Sequence, residues 1–239
     1  MYDFNHEEKI SHKIISNLKY KNNKFISLPE IKFSRIYKNY KKNNLTDCGS
    51  IILYEGHKYS GKPSSCPSGP TNYFQFKQIL NFYKTLNSRV KSKFKFKSPP
   101  YSDLRFKSYL KIKRKFGKNV LFDKNMRFKD TIQNSKIIVC TYPQTTLLEI
   151  LILNKPFIIL YPQKIWEFNK DNQQILNKLK KNGILFYDEK KAATHINKNW
   201  NEIELWWNSK IIQSTINDIK KNNFKLISSN EWKTFFKNF

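Results

Sequence analysis

Apolar and polar positions along the chain fall into short runs that switch repeatedly between strand-like and helix-like spacing. Ser50-Ile-Ile-Leu-Tyr-Glu55 is a compact apolar run ending before Gly56 and reads as a buried strand. Tyr59–Pro70 is crowded with Gly, Pro and Ser and reads as a loop. Thr71 or Asn72 can then cap a helix to about Leu86, with Tyr73, Phe76, Ile79, Leu80 and Tyr83 at helical spacing. Val90–Lys97 alternates and predicts a strand with a basic face, stopped by Pro99-Pro100. Asp103 can cap a helix through Leu110 to Phe116, with Gly117 past its end. Val120–Phe122 predicts a short strand and Phe128–Asn134 a short helix.

The clearest pattern follows. Lys136–Thr141 and Phe157–Tyr161 are apolar on both faces, and the segment between them, Leu147–Leu153, is apolar at helical length. Strands covered on both faces belong in a parallel sheet between helices, so this is a βαβ unit with the two strands adjacent. Beyond it, a helix starting at Asn169 or Asp171 closes at Gly183, and Ile184–Tyr187 is a short strand. Asp188 caps another helix, residues 201–223 give more helix, and Ser229 caps a last one, Asn230–Lys237. Residues 1–45 are polar and weakly patterned, with a short strand at Lys24–Pro29. The predicted fold is α/β, a Rossmann-like doubly wound parallel sheet in residues 46–239, with 1–45 as a junction segment.

Composition narrows the function classes. The chain has 239 residues, 39% of them hydrophobic, enough for one good core. No apolar run approaches the ~20 residues that span a bilayer, and the amino terminus lacks a secretory pattern, so a cytoplasmic location is expected. Cys48, Cys66 and Cys140 show no CxxC spacing and read as reduced thiols, Cys140 in the core. The net charge is +27. It favours anionic ligands: nucleotides, nucleic acid or anionic lipid headgroups. The lysines are scattered, as on a solvated surface, which weighs against a dedicated nucleic-acid face.

Candidate chemistry sits at the loop Thr141–Thr146, at the carboxyl end of a parallel strand and the amino end of a helix. Open α/β sheets bind ligands there, and the helix N–H groups and dipole favour a phosphate. Thr146-Leu-Leu-Glu149 also fits a capping box, in which both side chains merely satisfy backbone donors. Glu149 is therefore either a cap or core residue, or a ligand contact. Glu167, just beyond a strand, either holds a ribose or sugar hydroxyl or caps a helix. His57 faces the cleft or is a loop histidine. His195 reads as a surface or packed residue, and Trp166, Trp200, Trp206 and Trp207 as packing anchors. No acidic pair stands at a strand end, so neither a divalent metal nor another cofactor is expected.

Thr141-Tyr-Pro-Gln-Thr-Thr-Leu-Leu-Glu149 followed by Asn154-Lys-Pro156 resembles the signature of transferases of the leptospiral surface-carbohydrate type. Trp166-Glu167, Leu179-Lys-Lys-Asn-Gly-Ile184, Ala192-Ala193, Trp200 and Trp206-Trp207-Asn208-Ser209 agree in order. The resemblance is good over Lys136–Ser214 and weaker over residues 50–135; His6-Glu7 with Ile10-Ser11 resembles a segment near the domain junction. It implies a GT-B-like transferase of two Rossmann-like domains, of which this chain resembles the carboxyl-terminal, donor-binding one. A separate amino-terminal half would then supply the other wall of the cleft, and no catalytic base is assigned. It implies a nucleotide-sugar donor held by Thr141, Tyr142, Gln144, Thr145, Thr146, Glu149 and Glu167. Lys95, Lys97 or Arg105 stands in for an arginine expected to contact phosphate, and His6 and His57 are the candidate cleft residues. The implied acceptor is a carbohydrate or lipid-linked glycan for surface polysaccharide or lipopolysaccharide, with peripheral membrane association at the inner face. A non-catalytic nucleotide-binding subunit and a basic nucleic-acid binder are the alternatives.

Overall fold

The computed structural model describes residues 9–16, 23–28, 40, 46–53, 69–99, 107–142, 145–165, 170–223 and 229–237. Two strands, β1 (Ile14–Ser16) and β2 (Phe25–Ser27), pair in parallel as a small sheet of their own. The main sheet holds β3 (Gly49–Ile52), β4 (Phe94–Lys97), β5 (Ile137–Cys140), β6 (Phe157–Leu160) and β7 (Leu185–Phe186), in the order β4-β3-β5-β6-β7 and parallel throughout. In place of the expected Val120–Phe122 strand there is a single parallel bridge of Leu121 to Phe96 of β4, in which the Val120 carbonyl accepts from the Phe96 N–H and the Phe122 N–H donates to the Phe96 carbonyl. Adding it gives the spatial order third, second, first, fourth, fifth, sixth, which is the doubly wound Rossmann arrangement. The chain reverses direction across the sheet between β3 and β5. The expected adjacency of β5 and β6 is present, with Val139 opposite Ile158.

Helices cover both faces. Side chains alternate along each strand, so Ile51, Phe94, Phe96, Val139, Ile158 and Leu160 meet one layer, and Ile52, Ile138, Cys140, Phe157 and Ile159 the other. The first layer is built from α1 (Gly69–Thr85), α2 (Ser88–Lys91), α3 (Ser108–Phe116) and α7 (Glu189–Asn199). The second contains α4 (Phe128–Gln133), α5 (Thr145–Ile152), α6 (Lys170–Lys181) and α9 (Lys210–Asn223). A 3₁₀ turn at Trp200–Glu202 and the short α8 (Ile203–Trp207) carry the chain from the first layer to the second. A final helix, α10 (Ser229–Lys237), belongs to neither core cluster. Each fully buried Ile, Leu or Phe contributes roughly 1.5–3 kcal/mol, so the two apolar layers dominate the sheet's stability. Ala192 and Ala193, fully buried on α7, keep the approach to α1 close. At Gly49 a methyl group would lie 2.5 Å from the Phe94 ring, so the β3–β4 pairing at that point requires glycine.

Three boundaries differ from the sequence reading. α1 starts at Gly69, so Thr71 and Asn72 lie inside it; Pro70, with φ preset for a helix and no N–H to leave unpaired, suits the first turn. Val90–Lys97 is not one strand. Asn87 accepts from the Val90 N–H at 2.8 Å and caps the helical turn α2, leaving only Phe94–Lys97 in the sheet. α3 starts at Ser108, directly after Lys107 in a left-handed conformation (φ 59°) and with no side-chain cap; Asp103, the expected cap, lies outside the described residues.

Candidate functional site

The carboxyl ends of β3 and β5 meet at the point where strand order reverses, and Thr141 stands there, fully buried. Its hydroxyl donates to the Ile52 carbonyl at 2.6 Å, tying the end of β5 to the end of β3. The Gln75 amide of α1 donates to the Thr141 carbonyl. Thr141, read from sequence as a donor contact, also braces the loop through its hydroxyl's bond to Ile52. Cys140, beneath it, donates to the Tyr142 carbonyl at 3.0 Å, and burial pushes its thiol pKa up to about 12, which leaves it inert as a nucleophile.

Beyond the brace, the Tyr142 and Thr146 hydroxyls lie 2.5 Å apart. Thr146 is already the second residue of α5, so it is not that helix's cap, and the Thr146–Glu149 capping box does not form. The helix starts two residues earlier than the box requires, at Thr145 rather than Leu147. Glu149 is instead a buried carboxylate in the middle of α5. The backbone N–H groups of Thr145, Thr146 and Leu147 fall in the first helical turn, where no carbonyl of α5 accepts them. The positive end of the helix dipole lies at the same place.

The neighbouring strand ends add polar and aromatic groups. Tyr161 follows β6 and Tyr187 follows β7, their rings edge to face at 5.4 Å. Gln78 of α1 donates to the Tyr187 carbonyl at 2.7 Å. Gln75, Gln78 and Ser98 each keep a buried oxygen with no hydrogen-bond partner among the described residues, and all three sit on this edge of the sheet. Ser27 and His195 have such atoms elsewhere. Buried polar atoms are normally paired, so three acceptors on one edge are unusual. Both glutamine amides are oriented by the carbonyl to which they donate, which turns their oxygens the other way. Sequence reading missed Gln75 and Gln78: polar positions within an amphipathic helix look like its solvent face, and only the tilt of α1 over the strand ends buries them.

The basic candidates divide. Lys95 is exposed on β4, its ammonium 5.9 Å from the Phe122 ring centroid. Lys97 is buried and donates to the Asp123 and Lys124 carbonyls at 3.0 and 3.1 Å; burial lowers its pKa. The expected basic face of β4 is thus a single exposed lysine. His6, His57, Arg105, Gln144 and Glu167 lie outside the described residues, as does the Thr145 side chain. His195 is packed between the Phe186 and Trp206 rings, at 5.2 and 4.9 Å, and burial lowers its pKa.

The other motif residues gather at the opposite, amino-terminal edge of the sheet. Asn154 turns the chain into β6 with φ 49°, a left-handed position that Asn tolerates. Its carbonyl accepts from the Trp207 indole at 3.0 Å, and its amide donates to Gln213 at 3.0 Å. Lys155 is buried and donates to the Gln133 and Ser135 carbonyls at 3.1 and 3.2 Å. Gly183 holds φ 69° after α6, and Asn182 donates to Thr215 at 2.6 Å. Trp200 packs on Phe94 and Trp207 on Phe157, both as anchors. These residues shape the scaffold, while the Thr141–Glu149 segment shapes the carboxyl edge.

No curated protein matches the chain. The family model described as LIC12162 family transferase matches residues 1–239, across both edges of the sheet and the segment before it. The chain belongs to the LIC12162 transferase family.

Proposed function

We propose that the carboxyl edge of the sheet holds a nucleotide-activated sugar, and that the protein serves as the donor-binding part of a GT-B-like glycosyltransferase in surface polysaccharide or lipopolysaccharide assembly. The supporting observation is the loop after β5, braced at the strand-order reversal, which presents the first turn of α5 and the Tyr142–Thr146 hydroxyl pair together. Free N–H groups and a helix dipole stabilise a diphosphate. They do so most when charge builds on the departing nucleotide as the glycosidic bond breaks, which lowers the barrier rather than only tightening binding. The acceptors on Gln75, Gln78 and Ser98 suit hydroxyl or N–H groups of a bound sugar or base. The acceptor glycan and a second, amino-terminal half belong to the same proposal.

Equilibrium titration with nucleosides, nucleoside diphosphates and nucleotide sugars tests it. The net charge of +27 attracts any phosphate, so the titrations belong at high salt, where exposed charges are screened. At least one nucleoside diphosphate should bind at least about tenfold more tightly than its nucleoside, a difference of ~1.4 kcal/mol. Absence of saturable binding by every member of the set to a folded protein contradicts the proposal.

A further inference from the structure

We infer that the outward sides of α1 and α3 form a docking face for membranes that contain anionic lipid. The cationic residues are unevenly shared out along the chain. Residues 56–122 hold 16 of the 45 Lys and Arg against one of the 18 acids, Asp103, so this stretch supplies more than half of the net charge. The fold gathers that charge. α1 and α3 pack side by side in the first layer, with Tyr83 and Phe116 ring centroids 5.1 Å apart and the Lys111 ammonium 5.8 Å from the Phe76 ring centroid. On α3, Lys111, Arg114 and Lys115 share one side at i, i+3 and i+4, with Lys107 before the helix and Lys118 after it, all exposed. On α1, Lys77 and Lys84 are exposed two turns apart. One turn before Lys77 stand Tyr73 and Phe74, 54% and 59% exposed, their rings edge to face at 6.0 Å.

Not all of these placements serve the helix that carries them. Cations in a last turn suit the helix dipole, but Lys107 stands at the amino end of α3, where the first turn has no acidic residue. Lys111 and Lys115 repel one another at i, i+4. An anionic surface offsets both. Charge and layout select the occupant. The cations cover the outward sides of two helices packed side by side, which presents them together to a plane of headgroups, and each adds to the attraction. The Tyr73–Phe74 pair adds aromatic surface at one end, suited to the boundary between headgroups and acyl chains. This inference does not rest on which donor the protein uses.

The full chain should co-sediment with vesicles of phosphatidylcholine containing phosphatidylglycerol, more weakly with phosphatidylcholine alone, and less as salt rises. Arg114→Glu/Lys118→Glu should lower the apparent affinity at least about tenfold without lowering the thermal melt, since both side chains are exposed. Lys129→Glu/Lys210→Glu makes the same change of charge on exposed residues of α4 and α9, in the other layer, and should cost distinctly less. Tyr73→Ser/Phe74→Ser should weaken binding by a factor that persists at high salt, where the cations are screened. Equal losses in the two charge-reversal variants mean that bulk charge alone holds the vesicle, and overturn the inference, as does no binding to anionic vesicles. So does a loss in Arg114→Glu/Lys118→Glu that is confined to duplex DNA or RNA with vesicle binding intact, which makes this a nucleic-acid face.

Discussion

Trp207→Ala is expected to destabilise the protein by about 3–5 kcal/mol, the cost of emptying a buried indole site that cannot fully collapse. Trp207 is 2% exposed, its ring 5.1 Å from Phe157 on a central strand. Its N–H satisfies the Asn154 carbonyl at the turn into β6, where Asn154 takes a left-handed conformation. Gln213 closes the arrangement by donating to the Trp207 carbonyl at 2.8 Å and accepting from Asn154. Removal therefore opens a cavity against β6 and strands a carbonyl at the same time. For a chain of this length the melting temperature should fall by roughly 6–20 °C. Trp206→Ala, whose ring is only half-buried against His195, should cost distinctly less. Denaturant melts of the two variants check this; equal losses would remove the special role of Trp207.

The same contrast explains which parts of the sequence were legible. Continuous apolar runs such as Ile137–Cys140 and Phe157–Leu160 have a single stable environment, a sheet covered on both faces, so their pairing could be read directly. Alternation was less reliable. Val90–Lys97 has strand periodicity, yet Asn87 caps a helical turn within it, and Lys97 is turned inward by two backbone carbonyls. Periodicity records which residues are apolar, and a lysine whose ammonium finds carbonyl partners is invisible to it. The site was half legible. Thr141–Thr146 could be placed at a strand end from local order alone. That Thr141 spends its hydroxyl on Ile52, 89 residues away, depends on strand order. Gln75 and Gln78 depend on the packing of α1 over the strand ends. The cap reading of Thr146 missed the helix start by two residues, within the ordinary uncertainty of helix starts.

Thr145→Val/Thr146→Val keeps side-chain shape and removes two hydroxyls from the first turn of α5. A hydroxyl that accepts from Tyr142 can still donate to a phosphate, because it carries one donor and two acceptor lone pairs. Each hydrogen bond to a charged group contributes about 1.5–3 kcal/mol, so nucleotide affinity should fall at least about tenfold. Stability should fall only by about 0.5–1.5 kcal/mol, the net worth of the Tyr142–Thr146 bond. Tyr142→Phe breaks that same bond and leaves both threonines, so it should match the stability loss while retaining more of the affinity. Calorimetric titration paired with thermal melts separates the two effects. Equal affinity in the double valine variant and the wild type would confine these threonines to a structural role.

On the proposed reading, the diphosphate of a nucleotide sits on the first turn of α5, at the reversal point of the sheet. Backbone amide resonances followed during titration with a nucleoside diphosphate test it most directly. The largest shifts should fall on Thr145, Thr146 and Leu147, with smaller ones on the Gln75 and Gln78 side-chain amides, and Lys155, Asn182 and Trp207 at the opposite edge should stay still. Shifts concentrated at that opposite edge, or spread over exposed lysines with none in the first turn of α5, would contradict the account.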